Sequence, residues 1–111
     1  MTPTLNRRLV LEARHGESDG AGGIVSTWIA LGTLWAQIIP HRGRLVTGET
    51  GALSVGRFRI ILRGAPQGQS NRPLPGQRFR MASRVLQIDA VTEVEPAGRY
   101  LICQCHEQVA P

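Results

Sequence analysis

Apolar and polar residues alternate in short runs along most of the chain, and the runs are separated by Gly and Pro from Gly16 and Gly20 through Pro40, Gly48, Gly64, Pro73 and Gly76 to Gly98. This punctuation is that of an all-β protein. In a first strand around Arg8–Arg14, Leu9, Leu11 and Ala13 share one face, while Arg8, Glu12 and Arg14 share the other with Val10. The segment Ile24–Pro40 has Trp28, Leu31, Trp35 and Ile38 at helix-like spacings. It is still read as strand, because Thr27, Ile29, Thr33 and Ile39 are β-branched, Gly32 would weaken a helix interior, and Pro40 ends the run. The clearest alternation is Ser54–Arg63, with Phe58, Ile60 and Leu62 opposed to Arg57, Arg59 and Arg63. Strands at Arg84–Val94 and Arg99–Glu107, joined through Pro96, Ala97 and Gly98, complete a hairpin. The pattern predicts an all-β, small single-domain β-barrel or sandwich of five to seven strands, with Trp35 and Phe58 in the core.

Two segments do not read as strands: His41–Leu53, rich in Gly and Thr, and Gly64–Gln77, with Pro66, Pro73 and Pro75. Both are long connections for a chain of 111 residues. Long loops in so small a fold point to contact with something outside it.

Composition changes this picture in one respect. All 13 basic residues are arginine and the net charge is +5, so the surface calls for an acidic partner, although a GC-rich coding bias explains the missing lysine equally well. The arginines Arg57, Arg59, Arg63, Arg72, Arg78 and Arg80, with Arg84, are candidates for an interface. They could meet Glu93, Glu95 and Glu107 of a neighbouring subunit, or lie near nucleic acid without reading its sequence.

Chemistry is sparse. His15, His41 and His106 lie in different segments with no acidic pair or nucleophile elbow beside them, so the chain is not read as an enzyme. Cys103 and Cys105 with His106 lack a fourth ligand at any recognised zinc spacing, and are read as thiols in the core of the last strand, with no metal, cofactor or disulfide. Gly20-Ala21-Gly22-Gly23 lacks the Lys-Ser/Thr of a phosphate loop and reads as a flexible turn. No signal peptide and no membrane-length apolar run is found, which suggests a chain made and kept in a reducing cytoplasm with no membrane partner.

The ordered landmarks also resemble the phage head-tail joining, or head-closure (stopper), family. They are Leu5-Asn6-Arg7-Arg8-Leu9-Val10-Leu11-Glu12, the Asp19 to Gly23 turn, Thr27-Trp28, and Leu34-Trp35-Ala36-Gln37-Ile38-Ile39-Pro40. A glycine-containing loop with Glu49 follows, then Phe58-Arg59-Ile60-Ile61-Leu62-Arg63, Gln77-Arg78-Phe79-Arg80, and the closing run from Arg99 to Glu107. The resemblance implies a non-enzymatic β-barrel in a homo-oligomeric ring, with the adaptor and portal complex on the head side and the tail terminator or tail tube on the other. Double-stranded DNA would occupy the channel, and the particle would be a phage or a gene transfer agent. Under this reading His41–Leu53, with Arg42, Arg44 and Glu49, is the first choice for a loop lining the channel, and Gly64–Gln77 is the second. A freestanding nucleic-acid-binding β-barrel and a tail terminator are the competing readings.

Overall fold

A computed structural model describes residues 2–48, 51–65, 68–94 and 98–107. Six strands form: β1 (Arg7–Ser18), β2 (Ile24–Gly48), β3 (Gly51–Arg63), β4 (Arg78–Met81), β5 (Arg84–Glu93) and β6 (Tyr100–Glu107). All neighbours are antiparallel, and the sheet closes into a barrel in the order β1-β2-β3-β6-β5-β4. Closure removes the exposed edges that an open sheet of this size would present.

Alternation sets the core. Leu9 and Leu11 of β1, Ile60 and Leu62 of β3, Phe79 of β4, Leu86 and Ile88 of β5, and Leu101, Cys103 and Cys105 of β6 point inward and are buried together. Phe58 packs against them, as expected, but is only half-buried. Trp35 does not join the core; it stands on the outer face of β2 and is 56% exposed. The reason is a register shift between Leu11 and Glu12, where Leu11 faces Gly32 and Glu12 faces Ala30, leaving Leu31 as the extra residue. From there Leu34, Ala36 and Ile38 contact the core, and the helix-like recurrence of Trp28, Leu31, Trp35 and Ile38 dissolves into strand alternation with one bulge. A second bulge between Ile88 and Ala90 leaves Asp89 unpaired and passes the inward role from Ile88 to Val91.

The most consequential feature is the length of β2, 25 residues. Its first half, Ile24–Ala36, pairs with β1, and its second, Ala36–Gly48, pairs with β3. Since β1 meets β4 only through Val10, Leu11 and Glu12, the hairpin from Ala13 to Ile29 runs on as an arm of two strands. A second arm leaves the other end of β2, where Arg44 to Gly48 pairs with Val55 to Gly51. The segment His41–Leu53, expected as a loop, is thus largely paired backbone; its glycines did not prevent a ladder because the hydrogen bonds come from the main chain. The described residues of Gly64–Gln77 do not join the sheet, and β4, which follows, was absent from the sequence reading.

This connection is tied down at both ends. Gly64 N–H donates to the Arg99 carbonyl at 2.7 Å. A Cβ at Gly64 would come within 1.9 Å of the Gly98 carbonyl oxygen, so only glycine fits there. At the far end Gly76 N–H donates to Ile88 O, and Ile88 N–H to Gln77 O, both at 3.0 Å.

Candidate interaction surfaces

The arginines singled out by the sequence fall into two groups. Arg57, Arg59 and Arg63 project from the outer face of β3 and are exposed. Arg57 sits in register between His41 and His106, and Arg59 between Ile39 and Gln104, while Arg63 faces Tyr100. Arg59 Nε donates to His41 Nε2, but Arg57 and Arg63 form no ion pair among the described residues. These three therefore present charge outward.

The other four are engaged within the chain. Arg78 and Arg80 flank Glu12 across the β1–β4 seam, with Arg78 Nε 2.8 Å from Oε1 and Arg80 Nε 3.0 Å from Oε2. Burial alone would raise the Glu12 carboxyl, but hydrogen bonds from Arg80 and Arg78 outweigh it and hold the group below the usual carboxylate range. The Arg78 guanidinium also lies 4.1 Å over the Trp28 ring, joining the base of the β1–β2 arm to the seam. Arg72 donates to the Ala65 carbonyl at 2.8 Å and approaches Glu93 at 3.8 Å, so it closes the base of the 64–77 connection. Arg84 forms a two-pronged pair with Glu107 at 2.8 and 3.0 Å, which lowers the Glu107 carboxyl and raises the Arg84 guanidinium. Glu93 and Glu107, expected to face a neighbouring subunit, find arginines in their own chain; Glu95 lies outside the described residues.

Arg42 and Arg44 belong to β2 where it enters the β2–β3 arm, at a register shift between His41 and Arg44, and Glu49 lies outside the described residues. Arg44 pairs with Val55 at the root of the arm, and Arg42 falls within the shift itself.

The remaining chemistry-bearing residues are dispersed. Cys103 and Cys105 are free and buried. Burial pushes the Cys103 thiol up to about 12, against a small opposing pull from Arg72. The Cys105 thiol is raised further by burial, with Cys103 and Asp89 adding to the effect. His106 Nδ1 contacts Asp89 at 2.8 Å on the outside of the barrel, and His15 contacts Glu17 at 3.1 Å. Among the described residues no group of three or more His, Cys, Asp and Glu side chains gathers. Phe79 is fully buried and Phe58 packs on the core, which leaves no row of exposed aromatic rings on which bases could stack.

Sequence reasoning missed two features. One is Glu12, which alternation placed on the solvent face; nothing local signals its partners, which lie far along the chain. The other is the apolar outer surface, where Ile24 (76% exposed), Val25 (52%) and Trp35 stand clear of the core. The adjacent pair Ile24-Val25, next to a glycine-rich turn, was the available signal.

Comparison with known proteins gives three findings. Residues 1–108 match the family model described as phage head completion protein. A chain from the virion of a native gene transfer agent particle is 43% identical, with a TM-score of 0.84 over 98% of this chain and 100% of that one. A Shigella flexneri 2a protein known from its solution structure is 23% identical, with a TM-score of 0.67 over 96% of each chain, and shares the fold. Among curated proteins none matches.

Proposed function

The chain belongs to the phage head completion protein family, and on that premise we propose that it is a structural head-to-tail connector that closes the filled head of a phage-like particle. The observation that carries this reading is the 43% identity, along the whole of both chains, to a component of a gene transfer agent virion. In this role residues 1–111 act as one connector domain, and its copies form a ring. The adaptor and portal complex lies on the head side, the tail terminator or tail tube on the other, and double-stranded DNA passes through the middle. Nothing in such a role requires a reaction. What it requires is a rigid unit, lateral surfaces that repeat, and segments long enough to reach an axis.

The molecule has parts suited to each requirement. A closed barrel with a charge-tied seam is the rigid unit. The outward arginines of β3 suit contact with acidic surfaces, and Arg42 and Arg44 on the β2–β3 arm suit sequence-independent contact with phosphate. We assign that arm to the channel, with the 64–77 connection turned toward an axial partner.

Deletion of the gene from a producing strain tests the proposal. The expected products are DNA-filled heads and free tails that do not join, restored to joined particles by the gene supplied in trans. Joined, infective particles in the deletion strain would overturn it, and empty heads with normal tails would move the role to packaging.

A further inference from the structure

We propose that the β1–β2 arm of one copy docks in a groove on the outer face of the next copy's barrel, an inference that rests on the ring reading above and supplies its lateral contact. The arm is unusual in leaving apolar residues uncovered at its end. Ile24 and Val25 are exposed at 76% and 52%, beside the acidic residues Glu17 and Asp19. The stretch from His15 to Thr27 contains no arginine, so its formal charge is −2 in a chain of +5, leaving +7 elsewhere. The turn is also set before any partner arrives: Asp19 Oδ1 accepts from Ala21 N–H at 2.7 Å and Gly23 N–H at 3.0 Å. A pre-ordered apolar tip flanked by two carboxylates loses little entropy on docking.

The complementary surface lies across the outer faces of β2, β3 and β6. A groove of about 520 Å³ there is floored by Ile39, Ile61 and Ile102, with Val94 at its side and Arg59 and Arg99 among its lining. Val94 is 49% exposed at the side of the groove, while Ile61, pointing away from the barrel interior, is already largely covered, with Thr2 and Pro3 of the N-terminal segment also in the lining. An apolar floor with arginines at the edge matches an apolar tip with carboxylates at the edge, in both hydrophobicity and sign of charge.

The contact must be made between copies. Ile24 and Ile39 lie on the same strand, and the arm is held by its pairing with β1 as it leaves the barrel, so the strand that carries both tip and groove keeps an arm from folding back onto its own groove. The arm extends about 20 Å past Glu12, its last position beside β4, enough to cross a seam between barrels. Tip and groove are different patches, so the contact is head-to-tail, the kind that generates a ring when its rotation closes.

The test uses two full-length variants, one with Ile24→Asp and Val25→Asp in the arm, the other with Ile39→Asp and Val94→Asp in the groove. Oligomeric state is read by light scattering after gel filtration, and folding by thermal unfolding. Should the groove variant not fold, Arg59→Glu at an exposed position takes its place. The expected result is that the unaltered chain assembles, each variant alone is a folded monomer, and the two mixed form a one-to-one dimer that cannot grow. That dimer is the signature of one intact arm meeting one intact groove. Assembly of either variant alone, or a mixture that stays monomeric, would overturn the contact while leaving the ring reading standing. An unaltered chain that never leaves the monomer would overturn both.

Discussion

Glu12 and Arg78 face each other across the β1–β4 seam, with Glu12 6% exposed and the Nε–Oε1 distance 2.8 Å, so the pair stands at the point where the sheet closes on itself. Arg80 binds the second oxygen of the same carboxylate. Two arginines around one buried carboxylate satisfy each other's charge, and removing the middle member leaves two cations facing a seam with no counterion. Glu12→Gln should cost about 2 kcal/mol in urea unfolding at pH 7, less than a fully buried pair would because Arg80 is partly exposed. The loss should also depend on pH. The folded carboxyl titrates below its ordinary 4.5, so its contribution is present above that value and disappears as pH falls through the folded pKa. The gap between the unaltered chain and Glu12→Gln should therefore narrow as pH falls below 4.5; a gap that is constant with pH would show that the charge plays no part.

Phe79 and Trp35 should respond oppositely to what their size alone suggests. Phe79 is 0% exposed at the centre of the core, and Phe79→Ala should cost about 3–5 kcal/mol. Trp35→Ala, on the outer face, should change stability by less than about 1 kcal/mol. Equal losses from the two, measured by thermal or urea unfolding, would place Trp35 in a packed environment it does not have here.

The contrast between these residues shows what was legible in the chain. Regular alternation in Ser54–Arg63 and in the closing strand gave both faces correctly, down to Phe58, Ile60, Leu62, Cys103 and Cys105 turned toward the core. Trp35 was misjudged because one extra residue at Leu31 changes the parity of everything after it, and a bulge leaves no mark in composition. β4 was missed because four residues are too few to establish a period. The β2–β3 arm was taken for a loop because glycine and threonine suggested one, whereas its ladder depends on backbone groups that every residue has. Partners such as Glu12 and Arg78 are set by closure of the barrel, so local pattern carries no trace of them. Of the arginines proposed for an interface, Arg57, Arg59 and Arg63 are exposed on the outer face of β3, with Arg59 donating to His41, whereas Arg72, Arg78 and Arg80 are bound to carbonyl or carboxylate partners within the chain.

Cys103 and Cys105 should be silent to thiol reagents in the folded protein. Both are buried, and Cys103 titrates at about 12, so the reactive thiolate is scarce at neutral pH. Labelling with a maleimide should be absent in buffer and complete in denaturant, with the rate following unfolding. Because the folded thiol is raised above its ordinary 9.0, stability from this group is full below pH 9 and declines as pH rises toward 12. Rapid labelling of either cysteine in buffer would contradict their placement inside β6.

Ala82 adopts a φ of 55° in the two-residue turn between Met81 and Arg84. This left-handed conformation costs an L-residue with a Cβ roughly 1 kcal/mol, a cost glycine does not bear. Ala82→Gly should therefore be neutral or stabilise the barrel by up to about 1 kcal/mol, although glycine in an ordinary position destabilises. A clear loss of stability would mean the turn is of another kind.

Arg42 and Arg44 provide the sharpest test of how the arms divide their tasks. The two arms leave opposite ends of β2, one with the acidic tip assigned to the neighbouring copy and the other with these arginines at its root. Contacts between arginine and phosphate do not read sequence and weaken with salt, which suits a part that must hold any packaged DNA and later let it pass. In a ring each copy adds a small contribution, and the sum over the ring decides whether the end of the DNA is held. Replacing Arg42 and Arg44 with serine should leave oligomer formation unchanged, because the lateral contact is assigned to the other arm, while heads made without tails should lose DNA and lose it faster as salt is raised. Packaged DNA per head in a tail-deficient strain measures this directly. If the serine variant retains DNA as fully as the unaltered chain, while shortening the 64–77 connection causes leakage, the channel belongs to that connection and the β2–β3 arm faces another partner.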